Sequence, residues 1–151
     1  MKSNRGFTLL ELLTVIGIIA MIAGFLFPTI GKVKHQARVS RAKAMIETVA
    51  MALHAYRTDW GVYGPTENEL NDDGTLYAML TTGKKNGPYL ELKGKDITTV
   101  GSVKKITDPW NGIYEVFVDT DGGSNAVPAN NSYSFDISTT TPAGDEINNW
   151  D

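Results

Sequence analysis

One carboxylate in this sequence stands where charge is costly. Between Phe7 and Phe27 the chain reads FTLLELLTVIGIIAMIAGFLF, and Glu11 is its single charged residue. A carboxylate at the centre of a hydrocarbon layer costs about 2.5–3.5 kcal/mol, so its presence asks for a use. Elsewhere the residue types that do chemistry are scattered. There is no Gly-x-Ser-x-Gly, no phosphate-binding Gly-x-x-x-x-Gly-Lys-Ser/Thr and no His-Glu-x-x-His. His35 and His54 lie nineteen residues apart on one expected helix, too far to share a metal. Trp60, Trp110 and Trp150 suit packing better than a ligand cage. With no cysteine, neither a disulfide framework nor a Cys-ligated metal is available. The chain carries no catalytic set and reads as non-enzymatic.

Glu11 is positioned by the apolar run around it. Residues 7–27 are long enough for a bilayer-spanning helix, which takes about 20 apolar residues. Lys2 and Arg5 precede them, which assigns the N-terminus to the cytoplasm. A cleaved secretory signal would end in a small-x-small site, whereas the exit here is Phe25-Leu26-Phe27-Pro28. An uncleaved signal anchor remains, and it leaves Gly6 and Glu11 unexplained. Charge is unevenly divided. Residues 1–47 carry seven Lys/Arg against Glu11 and Glu47, a balance of +5, and the remaining 104 residues a balance of −8. An acidic head on a basic stem argues against nucleic acid as a partner. At 151 residues the chain holds one domain besides its N-terminal segment.

Gly6-Phe7-Thr8-Leu9-Leu10-Glu11 resembles the processing motif of type IV prepilins and type II secretion pseudopilins. The resemblance implies that a prepilin peptidase/methyltransferase cuts between Gly6 and Phe7 and methylates the new N-terminal Phe7. It also implies that Glu11 pairs with the N-terminal amine of a neighbouring subunit. Physics supports that role, because a carboxylate in lipid costs far less beside a cation. The penalty is then relieved chiefly by polymerisation. The implied division is a leader at 1–6, a transmembrane and assembly helix at 7–30, and a periplasmic pilin-like domain at 31–151. That domain includes the second half of the long helix.

Beyond the bilayer the helix is expected to continue. Met45, Val49, Leu53 and Tyr56 recur at helical spacing, and Ile46, Ala50 and Ala52 widen the stripe. Lys34, Arg38 and Arg41 line a different face. Gly61 is the expected stop, giving a helix from Phe7 to about residue 58, roughly 75–80 Å long. Pro28 predicts a kink near Gly24–Pro28. Thr66-Glu67-Asn68-Glu69 has capping-box spacing, and residues 76–80 suit a second short helix. Residues 83–105 read as a long connecting loop. Residues 113–118 and 132–137 alternate as strands, joined by a turn cluster at 119–125 into an antiparallel hairpin across the helix. The expected fold is α+β and pilin-like: a long N-terminal helix, its first half transmembrane, packed on a small antiparallel sheet.

The head is most similar to the major pseudopilins of type II secretion. The residues concerned are Tyr56, Asp59, Gly61, Tyr63 and Pro65, then Gly87-Pro88-Tyr89-Leu90, Asp108-Pro109-Trp110 and the closing Ile147-Asn148-Asn149-Trp150-Asp151. The usual Asp-Pro-Trp-Gly-Asn-Pro-Tyr is here Asp-Pro-Trp-Asn-Gly-Ile-Tyr. Type IVa pilins commonly close with a disulfide, which this chain cannot form. The resemblance implies a structural subunit of a pseudopilus that drives protein export, with a type IV pilin for adhesion, motility or DNA uptake as the alternative. Its partners would be further copies in a filament, the processing peptidase, minor pseudopilins and the inner-membrane secretion platform. Its place would be the bacterial inner membrane, single-pass with the head periplasmic, and then the periplasmic filament. Major pseudopilins bind calcium in their C-terminal loop, and calcium takes six to eight oxygens. Asp136, Ser138, Asp145, Glu146 and Asp151 offer oxygens here, although the family's denser acidic stretch is replaced by residues 137–146.

Overall fold

Leu9–Trp60 forms one α-helix of 52 residues, α1, close to the expected span. The structure, a computed structural model, describes residues 7–65, 70–82, 85–119 and 134–150, and of residues 26–29 the backbone alone. The capping box expected at 66–69 and most of the turn cluster at 119–125 lie outside these residues. The chain divides into two compact units, Met1–Ala37 and Arg38–Asp151.

The described residues of the first unit are helical from Leu9 on, and apolar up to Phe25 apart from Glu11 and Thr14. Its side chains from Leu9 to Phe25 are almost all exposed. The arms Leu9–Phe25 and Ile30–Trp60 are bent by 41° at the residues between them, where Pro28 withdraws a backbone donor. No single helix is long and apolar enough to cross a membrane, but the bent pair qualifies by length and composition.

In the second unit, Ala42, Ile46, Val49 and Leu53 descend one face of α1 at helical spacing and are buried. Met45, Ala50 and Tyr56 flank them, half-buried, so the expected stripe is present with its centre rotated slightly. The helix ends at Gly61, whose φ of +80° suits a residue without a side chain. Gly61 N–H donates to the Arg57 carbonyl at 2.7 Å, closing the last turn. A second helix, α2 (Thr75–Thr81), places Leu76 and Leu80 in the core.

Residues 83–105 are not the loop the sequence suggested. They contain a 3-10 turn, Gly94–Asp96, and a hairpin of β1 (Ile97–Val100) and β2 (Val103–Ile106). The strands are four residues long and bury mainly their outer ends, so no alternation marks them. The legible signal was the β-branched run Ile-Thr-Thr-Val before Gly101 and Ser102, which form a two-residue turn.

A second sheet is antiparallel in the order β3-β4-β5: β3 (Glu115–Val118), β4 (Phe135–Thr140) and β5 (Glu146–Asn148). Val116 opposes Ile137, Val118 opposes Phe135 and Thr139 opposes Ile147. These residues are buried and share the sheet face turned to the core. The expected pairing of the two strands is present, but β4 runs on to Thr140. The stretch expected as a C-terminal loop is a strand, a tight turn and another strand. Asn71, fully buried, ties β2 to the start of β3 by donating to the carbonyls of Ile106 and Tyr114, each at 2.8 Å, and accepting Ile106 N–H.

Candidate assembly and metal sites

At the start of α1, Thr8 and Glu11 cap the helix reciprocally. Thr8 N–H donates to Glu11 Oε2 at 2.9 Å and the Thr8 hydroxyl donates to the same oxygen at 2.7 Å. Glu11 N–H donates back to Thr8 Oγ1 at 3.2 Å. This is a capping box, Thr-x-x-Glu. Sequence reasoning passed over Thr8, although its spacing from Glu11 was the signal. Both Thr8 donors converge on Oε2, so the box engages one of the two carboxylate oxygens. Phe7, just ahead of it, is 78% exposed. Gly6 lies outside the described residues. The geometry presents a residue-7 backbone, a carboxylate one turn on, and an exposed apolar helix behind them.

The C-terminal candidates are less concentrated. Asp136 and Ser138 lie two residues apart on the outer face of β4, with Glu115 of β3 directly opposite Ser138. Asp136 is nonetheless buried. Asp145 belongs to the turn between β4 and β5. There Thr141 N–H donates to the Asp145 carbonyl at 2.8 Å and Asp145 N–H to Thr141 Oγ1 at 3.1 Å. Glu146 opposes Thr140. Four residues of strand, about 13 Å, separate Asp136 from Thr140. The structure thus brings Asp136 and Ser138 together and puts Asp145 and Glu146 at the other end of the hairpin. Among the described residues, no group of three or more Asp, Glu or His could hold an ion. Asp151 is not described.

Comparison with known proteins bears on the N-terminal site first. Residues 1–27 match the family model of the prokaryotic N-terminal methylation motif. The chain is 30% identical over 115 residues to the type II secretion system core protein G of Pseudomonas aeruginosa, covering 76% of this chain and 73% of that one. The chain belongs to the type II secretion core protein G family. The core protein G of Vibrio cholerae is 30% identical over 125 residues, 82% of this chain and 77% of its own. That of Klebsiella pneumoniae is 27% identical over 153 residues, 99% and 96% of the two chains. No solved structure matches the chain.

In this core protein G family member the departures at residues 108–114 have structural explanations. Asp108 is buried. Its Oδ1 accepts the N–H groups of Trp110 at 2.7 Å and Gly112 at 2.8 Å, and its Oδ2 accepts the Thr139 hydroxyl at 2.7 Å. Asn111 takes the left-handed conformation, φ +69°, which asparagine tolerates better than other residues with side chains. A Cβ on Gly112 would sit 2.7 Å from Asp108 Oδ2, so the exchanged glycine lets the backbone close on the carboxylate. Ile113, in place of the second proline, bridges Thr107. The bonds of that bridge are donated by the N–H groups of Asp108 and Tyr114, not of Ile113, so proline or isoleucine fits there. Burial, with the charge of Asp108 nearby, pushes the Tyr114 phenol well above its ordinary pKa.

The helix exit is held by a second polar cluster. Asp59 accepts the Tyr89 hydroxyl at 2.8 Å and Asn86 Nδ2 at 2.9 Å, while Trp60 Nε1 donates to the Tyr89 oxygen at 3.0 Å. Tyr56 stacks on Trp60 and meets Tyr89 edge-on. These residues secure the segment after α2 to the end of α1.

Proposed function

We propose that the protein is a non-catalytic structural subunit of a type II secretion pseudopilus. It is anchored by the first half of α1, processed between Gly6 and Phe7, and polymerised through that same helix segment to drive protein export. The observation that carries this reading is Glu11, held at the head of an exposed apolar helix and one turn from Phe7. In the proposed filament the carboxylate receives the methylated Phe7 amine of an adjacent copy, while the apolar side chains of neighbouring helices bury one another. The head stands on the periplasmic side and meets minor pseudopilins and the secretion platform. Intact-mass measurement of protein purified from its native host tests the processing. The expected mature chain begins at a methylated Phe7, and a chain still beginning at Met1, or cut beyond Pro28, overturns it.

Calcium at the C-terminal hairpin is proposed on the family resemblance alone. Ligand binding confined to the folded state adds about 2.7 kcal/mol at a hundredfold excess over Kd. The melting temperature is therefore expected to rise by several degrees in millimolar calcium relative to chelator, with magnesium a poor substitute. Asp145→Ala, in the turn between β4 and β5, should remove that gain. An unchanged melting temperature for the parent protein removes calcium from the reading.

A further inference from the structure

Between the apolar stretch and the head, α1 carries Lys32 and Lys34, both exposed. The chain has no acidic residue between Glu11 and Glu47. Five Lys/Arg follow the apolar stretch within twenty residues (Lys32, Lys34, Arg38, Arg41, Lys43), and two precede it (Lys2, Arg5). Membrane chains ordinarily leave the basic excess on the untranslocated side, so in the proposed orientation these cations run against the tendency. Two of the five have uses in the head. Arg41 pairs with Asp96, and Lys43 lines a groove beside Glu47 and Glu146. Among the described residues the ion pairs are those of Arg41 with Asp96 and Lys105 with Asp72, so neither takes up Lys32 or Lys34.

Position supplies the missing counterion. At 1.5 Å per residue Lys32 stands about 7–8 Å beyond Phe27, and Lys34 about 10 Å. The polar headgroup layer is about 5–7 Å deep on each side, and a lysine stem lies back along apolar surface to place its ammonium there. Two residues apart on a helix, the side chains point about 200° apart. A single acidic protein face would meet one of them. Headgroups surrounding the helix meet both.

We propose that Lys32 and Lys34 dock the chain onto anionic phospholipid headgroups of the leaflet from which α1 emerges. This rests on the membrane-anchored reading above. Each lysine at the surface favours anionic over zwitterionic lipid by about fivefold. The test places the full chain in phosphatidylcholine vesicles containing spin-labelled phosphatidylglycerol or spin-labelled phosphatidylcholine, and measures which lipid the protein holds in its boundary shell. The expected result is a preference for phosphatidylglycerol of about fivefold or more, weakened in about 1 M salt. It should fall close to unity in the Lys32→Gln/Lys34→Gln double variant and persist in Lys43→Gln, sixteen residues after Phe27 in the chain. Equal selectivity in the parent and the double variant overturns the proposal. If that variant also loses filaments, the occupant is a second copy instead. A chain stripped from the vesicles by alkaline carbonate refutes the anchored reading itself, and the docking with it, which separates the two failures.

Discussion

Glu11→Ala is expected to abolish filament assembly while leaving membrane insertion and the fold of the head intact. In the proposed filament the carboxylate and the neighbour's amine would be buried together, and removing one partner of such a pair costs about 3–5 kcal/mol. That corresponds to a loss of about a hundred- to several thousandfold in affinity at each contact. Insertion itself should become easier, because the one charge in the apolar stretch is gone. The capping box complicates the substitution, since alanine also leaves Thr8 N–H without its acceptor. Losing a cap costs about 0.5–2 kcal/mol, which is less than the pair. Two controls separate the effects. Thr8→Ala breaks the box and keeps the carboxylate, so filaments should be reduced modestly. Glu11→Gln keeps an acceptor for Thr8 and removes the charge, so assembly should fail almost as completely as with alanine. Electron microscopy of sheared filaments at equal expression checks all three. Normal filaments from Glu11→Ala reject the assembly role, and equal defects in Thr8→Ala and Glu11→Ala assign the effect to the helix start.

The second large effect is expected in the head, at Asp108. Asp108→Ala leaves the N–H groups of Trp110 and Gly112 and the Thr139 hydroxyl without their acceptor. An unsatisfied buried donor costs about 1–3 kcal/mol. Because the three surround one carboxylate and two of them lie in a loop that can relax, the total should come to about 3–5 kcal/mol rather than their sum. Asp108→Asn keeps one oxygen for the two amides, and its new amino group can donate to Thr139 Oγ1, since a hydroxyl accepts as well as donates. Its cost should stay under about 2 kcal/mol. Denaturant melts of the three proteins decide the matter. Should Asp108→Ala unfold at the parent's midpoint, the carboxylate does not hold residues 108–112.

The features legible in the residues alone are local in origin. The long helix was legible because its signals act within a turn or two: the apolar spacing of Met45, Val49, Leu53 and Tyr56, the stop at Gly61, and the donor missing at Pro28. The proposed assembly site is local for the same reason, since Phe7, Thr8 and Glu11 lie within five residues. The remaining features depend on contacts between distant residues. Strands of four residues such as β1 and β2 gain their order from cross-strand partners, and Ile-Thr-Thr-Val carries no period to announce them. Asp136 and Asp145 look like neighbours in sequence. An extended strand advances about 3.3 Å per residue, and the antiparallel register of β4 with β5 fixes their separation. Asp108 belonged to a recognised motif, but its acceptor role toward Thr139, 31 residues away, arises only when two strands and a turn close on one buried carboxylate. Local residue types set such a group's chemistry, and burial obliges the fold to bring it partners.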